Sequence, residues 1–186
     1  MAPAESGALL EVGSVRESPS KAALALTLLS VVVLFDLITK AWIVRSFSLY
    51  ESVQVLGDWV RITYTHNRGA AFGIHVGEHS RIFFLGLSAV ALVVLGLIYR
   101  STSPADRIRI GALALVAGGA LGNIVDRLRY DRGVVDFLDV GVGVHRWPVF
   151  NVADMAVSTG AILLLLSFYF EGRREAAGAD STGETE

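Results

Sequence analysis

Four long apolar runs divide the chain, and polar segments separate them. Residues 82–99 carry no charge, and a run of this length is close to the roughly 20 residues that cross a bilayer as a helix. The other runs predict spans at about residues 22–44, 110–128 and 151–170. This pattern predicts a membrane protein of the all-α class with four transmembrane helices.

Polar tails flank the predicted spans. Residues 1–20 and 175–186 are rich in Ala, Gly, Ser and Glu, so we predict that both are disordered and that the membrane domain covers residues 21–174. Four spans place both tails on one side of the membrane. The short basic loop at residues 100–109 favours the cytoplasm for that side. Residues 46–80 and the segment before the fourth span are then predicted to lie outside.

The outer segments contain signals for β-structure. Gly57 and Asp58 form a turn signal between two runs of β-favouring residues, which predicts a short hairpin. The run from Val134 to Leu138 is also β-like, and it places Asp136 among apolar neighbours. We therefore expect a small extracytoplasmic β element beside the four helices.

Composition narrows the range of functions. The formal net charge of the 186 residues is −2, so nothing indicates a nucleic-acid partner. The chain has no cysteine, which excludes disulfides, thiol catalysis and metal sites built from cysteine. The four histidines lack the spacing of metal ligands, so no metal or other cofactor is expected.

Two polar groups interrupt the predicted spans. Asp36 and Lys40 are four residues apart, so they share a helix face and can pair; one interpretation is an interfacial ion pair that anchors the helix end. Asn123, Asp126 and Arg127 also share a face, and we interpret Asp126 with Arg127 as a structural ion pair. Small residues recur every four positions in the same span, which predicts close helix contact at Ala114, Gly118 and Gly122.

A second polar group precedes the second span. Asn67 and Arg68 stand before the small residues of segment 69–71. This segment either packs as a re-entrant loop, or Asn67 and Arg68 bind something polar at the membrane surface. The sequence leaves both interpretations open.

The aspartates near the fourth span suggest acid–base chemistry. Asp136 and Asp154 both lie near an apolar boundary, where two adjacent carboxylates would share one proton. Such a pair supplies a base to activate water and an acid to protonate a leaving group. Alternatively, Asn151 only caps the fourth helix and Asp154 lies in its first turn. Asp131 and Asp139 are predicted to be ordinary loop charges.

Four sequence blocks resemble the lipoprotein signal peptidase family, also called signal peptidase II. They are FDLITK at 35–40, THNRGAAFG at 65–73, GGALGNIVDR at 118–127 joined to GVVDF at 133–137, and FNVAD at 150–154. The blocks occur in the family's order. The resemblance implies an aspartic endopeptidase of the bacterial inner membrane that needs no metal. Such an enzyme removes the signal peptide of prolipoproteins on the N-terminal side of a diacylglyceryl-modified cysteine.

The resemblance also assigns residues. It implies that Asp136 and Asp154 are catalytic, at the outer face of the membrane, and that eight further residues bind substrate or support the site: Asp36, Lys40, Asn67, Arg68, Asn123, Asp126, Arg127 and Asn151. The implied partners are diacylglyceryl-modified prolipoproteins and membrane lipids. Two alternatives remain from other classes: a proton-coupled transporter that uses the same aspartates as a relay, and a non-catalytic membrane scaffold.

Overall fold

The computed structural model describes residues 20–69 and 77–183. Its four long helices are all apolar enough and long enough to cross a membrane, which confirms the four predicted spans. They are α1 (Lys21–Ser46), α2 (Ser80–Ser101), α3 (Arg107–Arg129) and α4 (Val152–Gly183), and a short 3₁₀ turn (Gly77–His79) precedes α2. The predicted N-terminal tail lies outside the described residues, apart from Ser20.

The C-terminal end of α4 differs from the prediction. The fourth span was expected to end near residue 170 and to be followed by a disordered tail from residue 175, whereas the helix continues to Gly183. Apolar residues end near Phe170, but the following residues, EGRREAA, are mostly strong helix formers. The span was predicted from hydropathy and the tail from composition, and neither criterion indicates a polar extension of the helix.

Helix α3 lies at the centre of the bundle and packs mainly against α1 and α4. The predicted small-residue stripe lies at these contacts. A side chain on Gly118 would place its Cβ atom 2.9 Å from the Cβ atom of Val32, and a side chain on Gly122 would collide with the carboxylate of Asp36. Glycine therefore lets α1 approach α3 closely enough to bring Asp36 into the bundle.

A four-stranded antiparallel sheet covers one end of the bundle, in the order β1-β2-β3-β4. The strands are β1 (Ser52–Leu56), β2 (Val60–Asn67), β3 (Val134–Val142) and β4 (His145–Arg146). The predicted hairpin forms β1 and β2, with Gly57 in its turn at a φ of +51°. The sheet is larger than expected because the segment around Asp136 pairs with β2.

The sheet is fixed to α1 by a small apolar core. Ile43 packs against Tyr64, Val135 and Phe137, all of them buried. Side chains alternate between the two faces of a strand. Since Val135 and Phe137 face this core, Asp136 between them faces the opposite side, where α3 and α4 meet the sheet.

Candidate active site

Asp136 and Asp154 come together around Asn151, and we call these two aspartates the acid pair. The amide nitrogen Nδ2 of Asn151 donates to Oδ1 of Asp136 at 2.7 Å, and the main-chain N–H of Asn151 donates to Oδ2 of Asp154 at 3.2 Å. Asp136 comes from β3 and is 2% exposed, whereas Asp154 lies in the first turn of α4 and is partly exposed. One residue therefore links the two predicted catalytic carboxyl groups.

The helix-capping interpretation holds as well. Oδ1 of Asn151 accepts the main-chain N–H of Asp154 at 2.9 Å, while the carboxylate of Asp154 accepts the main-chain N–H of Asn151. This reciprocal arrangement is a capping box, and it fixes the position of Asp154 relative to the preceding strand. Capping and placement of the acid pair are thus functions of the same contacts.

Asn123 of α3 contacts both halves of the site. Its Nδ2 atom donates to Oδ1 of Asp154 at 2.9 Å, and its Oδ1 atom accepts from Nδ2 of Asn151 at 3.1 Å and from Nζ of Lys40 at 3.0 Å. The two acceptor contacts fix the orientation of the amide. The NH2 group of Asn123 is consequently directed at Asp154.

The pKa of Asp136 is raised to about 7. Burial is the main cause, and the nearby charge of Asp154 is the second. Hydrogen bonds from Asn67 and Asn151 act in the opposite direction, because they stabilise the ionised carboxylate. Asn67 ends β2, and its Oδ1 atom accepts the main-chain N–H of Gly69 at 2.9 Å. Its side chain therefore presents the amide to Asp136, so Asn67 contacts the acid pair.

A second group of charges lies deeper in the bundle, and we call Asp36, Lys40 and Asp126 the charge cluster. Nζ of Lys40 lies 2.7 Å from a carboxylate oxygen of Asp36 and 2.9 Å from one of Asp126, and all three side chains are almost fully buried. The predicted pairing of Asp36 with Lys40 is confirmed. Its interpretation as an interfacial anchor stays a prediction, and within the protein the close contact at Gly122 encloses Asp36 among the helices.

The predicted ion pair between Asp126 and Arg127 is also wrong. Asp126 pairs with Lys40, and its carboxylate accepts the main-chain N–H of Val135 at 3.1 Å. Arg127 instead donates to the carbonyl oxygens of Asn123 at 3.2 Å and Gly69 at 3.1 Å. Adjacent residues on a helix point in different directions, so Asp126 contacts Lys40 of α1 whereas Arg127 contacts Gly69 after β2.

The two aspartates predicted to be loop charges differ from each other. The side chain of Asp131 is 97% exposed and pairs with Arg81, as expected for a surface charge. The prediction is wrong for Asp139, which is buried and accepts hydrogen bonds from Thr63 and Arg146. The turn that returns β4 along β3 brings Arg146 to Asp139. The basic residue after that turn was the signal that could have indicated the contact.

A cavity of about 370 Å³ opens at the acid pair. We call it the active-site cavity. Asp136, Asp154 and Arg127 line it together with apolar groups of Trp147, Phe150 and Met155, and it extends along α4 to Ser158 and Thr159. Most of its apolar lining comes from the segment that precedes α4, whereas α3 and α4 contribute mainly polar side chains.

Arg68 is exposed at the end of β2. Residues 70–76, which follow shortly after it, lie outside the described part of the chain, so the re-entrant interpretation stays a prediction. Among the described residues, no group of three or more His, Asp or Glu side chains is arranged to hold a metal ion.

Comparison with known proteins identifies a family. The sequence model described as signal peptidase (SPase) II matches residues 28–170. The chain is 41% identical over 153 residues to the lipoprotein signal peptidase of Syntrophotalea carbinolica, which covers 82% of this chain and 94% of the relative. It is 43% identical over 148 residues to that of Syntrophomonas wolfei, covering 80% and 94%.

Two solved structures of bacterial membrane enzymes are similar to this chain in fold. A bacterial membrane enzyme determined at 2.3 Å resolution by the in meso method superposes with a TM-score of 0.73 at 30% identity, over 80% of this chain and 88% of the other. A second, at 1.9 Å resolution, has a TM-score of 0.69 at 31% identity, over 77% and 91%.

Proposed function

Because the chain belongs to the signal peptidase II family, which makes it a membrane protease that removes signal peptides from prolipoproteins, we propose that the acid pair catalyses this cleavage. The cut falls on the N-terminal side of a cysteine that carries a diacylglyceryl group. The observation that carries the proposal is the bridging of Asp136 and Asp154 by Asn151 inside a cavity. The family assignment also replaces the transporter and scaffold alternatives.

The surroundings of the two carboxyl groups suggest different roles. Burial raises the pKa of Asp136 to about 7, so this residue holds a proton in a large share of molecules at neutral pH. Asp154 is partly exposed, and N–H groups of Asn123 and Asn151 donate hydrogen bonds to its two oxygens. We assign Asp154 as the general base and Asp136 as the general acid.

The reaction then proceeds as in other aspartic proteases. Asp154 removes a proton from a water molecule, whose oxygen bonds to the carbonyl carbon of the scissile peptide. Asp136 gives its proton to the carbonyl oxygen, so that a neutral tetrahedral diol forms. Asp154 passes its proton to the leaving nitrogen, the C–N bond breaks, and Asp136 recovers a proton as the new carboxyl group forms. No charge accumulates on the substrate, so the buried site needs no metal to neutralise it.

The supporting residues hold this arrangement in place. Asn67, Asn123 and Asn151 orient the carboxyl groups through their amides. The charge cluster supports Asn123 and the start of β3 through contacts of Lys40 and Asp126. Arg127 holds the end of β2 through the carbonyl of Gly69. Asn67, Asn123 and Arg127 also line the active-site cavity, and exposed Arg68 is placed to contact the substrate as well.

The active-site cavity suits a substrate that is partly embedded in lipid. It holds the acid pair, apolar groups of Trp147 and Phe150 lie beside that pair, and the cavity continues along α4 into the bundle. Diacylglyceryl chains and the end of the signal peptide can remain in the membrane while the scissile bond meets the carboxyl groups. Two acyl chains anchor a peptide strongly, which raises its local concentration at the site.

We propose that the protein lies in the bacterial inner membrane with both termini in the cytoplasm and the sheet at the outer face. The short basic loop between α2 and α3 supports this orientation. Reporter fusions at Ser103 and Glu78 provide the measurement. A reporter that is active only outside the cytoplasm should work at Glu78 and fail at Ser103, and the reverse pattern would refute the orientation.

Purified protein tests the activity directly. It should cleave a prolipoprotein that carries the diacylglyceryl group, and the Asp136→Asn variant should not. The same precursor without its lipid serves as the substrate control and should be cleaved far more slowly. Equal rates for the two precursors would contradict the proposed role of the lipid.

A further inference from the structure

A second cavity, of about 680 Å³, adjoins the active-site cavity, and we call it the outer groove. The two cavities share four lining residues, Asn67, Asp136, Pro148 and Val149. Asp136 thus lies where the two cavities meet. A polypeptide bound across Asp136 must therefore extend into both cavities.

The two cavities lie in different environments. The active-site cavity is lined by residues of α3 and α4 as well as the sheet. The described residues that line the outer groove come from strands and connecting segments, such as Tyr50, Thr65 and Arg132, and none comes from the four long helices. One cavity reaches into the bundle, and the other lies wholly outside it.

This difference assigns the two sides of the substrate. At the cleavage site, the signal peptide and the acyl chains are the apolar parts and remain in the membrane. The mature chain that follows the lipidated cysteine is the part that leaves for water. Under the proposed function, the bundle-side cavity receives the apolar parts, so the outer groove is left for the first residues of the mature chain.

The outer groove carries positive charge. Arg68 and Arg132 line it and are both exposed, and Asp136 is the one acidic residue among its described lining residues. None of the ion pairs in the described part of the chain includes either arginine. Burial lowers the pKa of His66, which also lines the groove, so the arginines supply its charge at neutral pH.

We propose that the outer groove binds the first residues of the mature lipoprotein, and that Arg68 and Arg132 make cleavage favour acidic over basic side chains there. The inference rests on the proposed function, because it assumes a substrate that crosses the acid pair. It adds a specificity that depends on charge outside the membrane. Exposed charges contribute modestly, so we expect a preference of roughly three- to tenfold in kcat/KM.

Matched lipidated substrates test the proposal. Three precursors would differ only at the second to fourth residues after the lipidated cysteine, which are aspartate, serine or lysine. The measured quantity is the ratio of kcat/KM for the aspartate and lysine substrates, since a ratio within one enzyme preparation does not depend on how much of it is folded. For the unaltered protein we expect the ratio to exceed one and to fall as salt screens the arginines. A ratio of one would overturn the proposal.

Variants of Arg132 locate the effect. Arg132→Gln should lower the ratio, and Arg132→Glu should bring it to one or reverse it. Arg129→Glu is the control, because Arg129 is also exposed and lies three residues away but does not line the groove. An unchanged ratio in Arg132→Glu, or an equal change in Arg129→Glu, would overturn the proposal. Failure to cleave any of the three lipidated substrates would instead refute the proposed function.

Discussion

The charge cluster and the acid pair are neighbouring groups of carboxylates that differ in how their charge is balanced. In the charge cluster, the ammonium group of Lys40 lies between two carboxylates. In the acid pair, the hydrogen-bond donors are amides of asparagines, and no Lys or Arg side chain of the described residues forms an ion pair with either carboxylate. Asn123 contacts both groups and separates them.

The difference separates a structural role from a chemical one. A cation buried between two carboxylates joins the elements that carry them, because removal of one partner would leave an uncompensated buried charge. Two carboxylates that have only neutral donors cannot both ionise easily, so they retain a proton that can be transferred. The same residue type thus joins helices in one place and, under the proposed function, provides a general acid in the other.

The largest effect is expected when a carboxyl group of the acid pair is replaced by a group that cannot transfer a proton. Asp136→Asn and Asp154→Asn should each lower cleavage by at least about 10³-fold while the protein still accumulates in the membrane, since Asn keeps the shape but exchanges no proton. The double variant should be scarcely worse than either single one, because the two residues act as a unit. Specific activity per folded protein is the measurement. Substantial activity in either single variant would refute the acid pair.

Removal of the buried cation should instead lower the stability of the fold. Lys40→Met leaves Asp36 and Asp126 together without a cation, which should cost roughly 3–5 kcal/mol of folding free energy. Asp126→Asn leaves one carboxylate for Lys40 and should cost less, roughly 1–3 kcal/mol. Thermal unfolding in detergent measures both. Equal stability of Lys40→Met and the unaltered protein would show that the cluster is not charged as described.

The pH dependence sharpens the comparison further. The proposed mechanism requires a protonated Asp136, so the rate should fall as pH rises through about 7, by roughly tenfold per unit beyond it. The folded state also holds this proton more tightly than the unfolded state does. The contribution of Asp136 to the free energy of unfolding should therefore be fully present below its ordinary pKa of 3.8 and be lost as pH rises toward about 7.

The control for the pH effect is Asp136→Asn, which is inactive but can still be unfolded. Its unfolding temperature should lack the decline between about pH 4 and 7 that the unaltered protein shows. An alkaline limit of activity well above 8, or the same decline in both proteins, would argue against a proton on Asp136.

Sequence reasoning found the elements and most of the acid pair's surroundings, for identifiable reasons. Hydropathy gives the four spans, because a bilayer requires long apolar helices. The packing at Gly118 followed from spacing along one helix. Contacts between elements did not follow: spacing suggested Arg127 as the partner of Asp126, whereas the close approach of α1 supplies Lys40.

The remaining errors have the same origin. Asp139 was assigned to an exposed loop because the basic residue Arg146 reaches it only when β4 pairs with β3, and that pairing was not predicted. The structural contact between Asn67 and Asp136 likewise depends on the pairing of β2 with β3, which joins segments about 70 residues apart. Local patterns predict elements, and long-range pairing decides which polar groups meet.

The smallest expected effect concerns Asp131, and it tests whether burial rather than residue type separates the aspartates. Its side chain is 97% exposed, and its ion pair with Arg81 lies in solvent. Asp131→Asn should therefore change stability by no more than about 0.5 kcal/mol and leave cleavage unchanged. Asp139→Asn is the matched buried variant and should lower the unfolding temperature, because Thr63 and Arg146 lose a charged acceptor. If the two variants had equal stability, burial would not be what distinguishes these two aspartates.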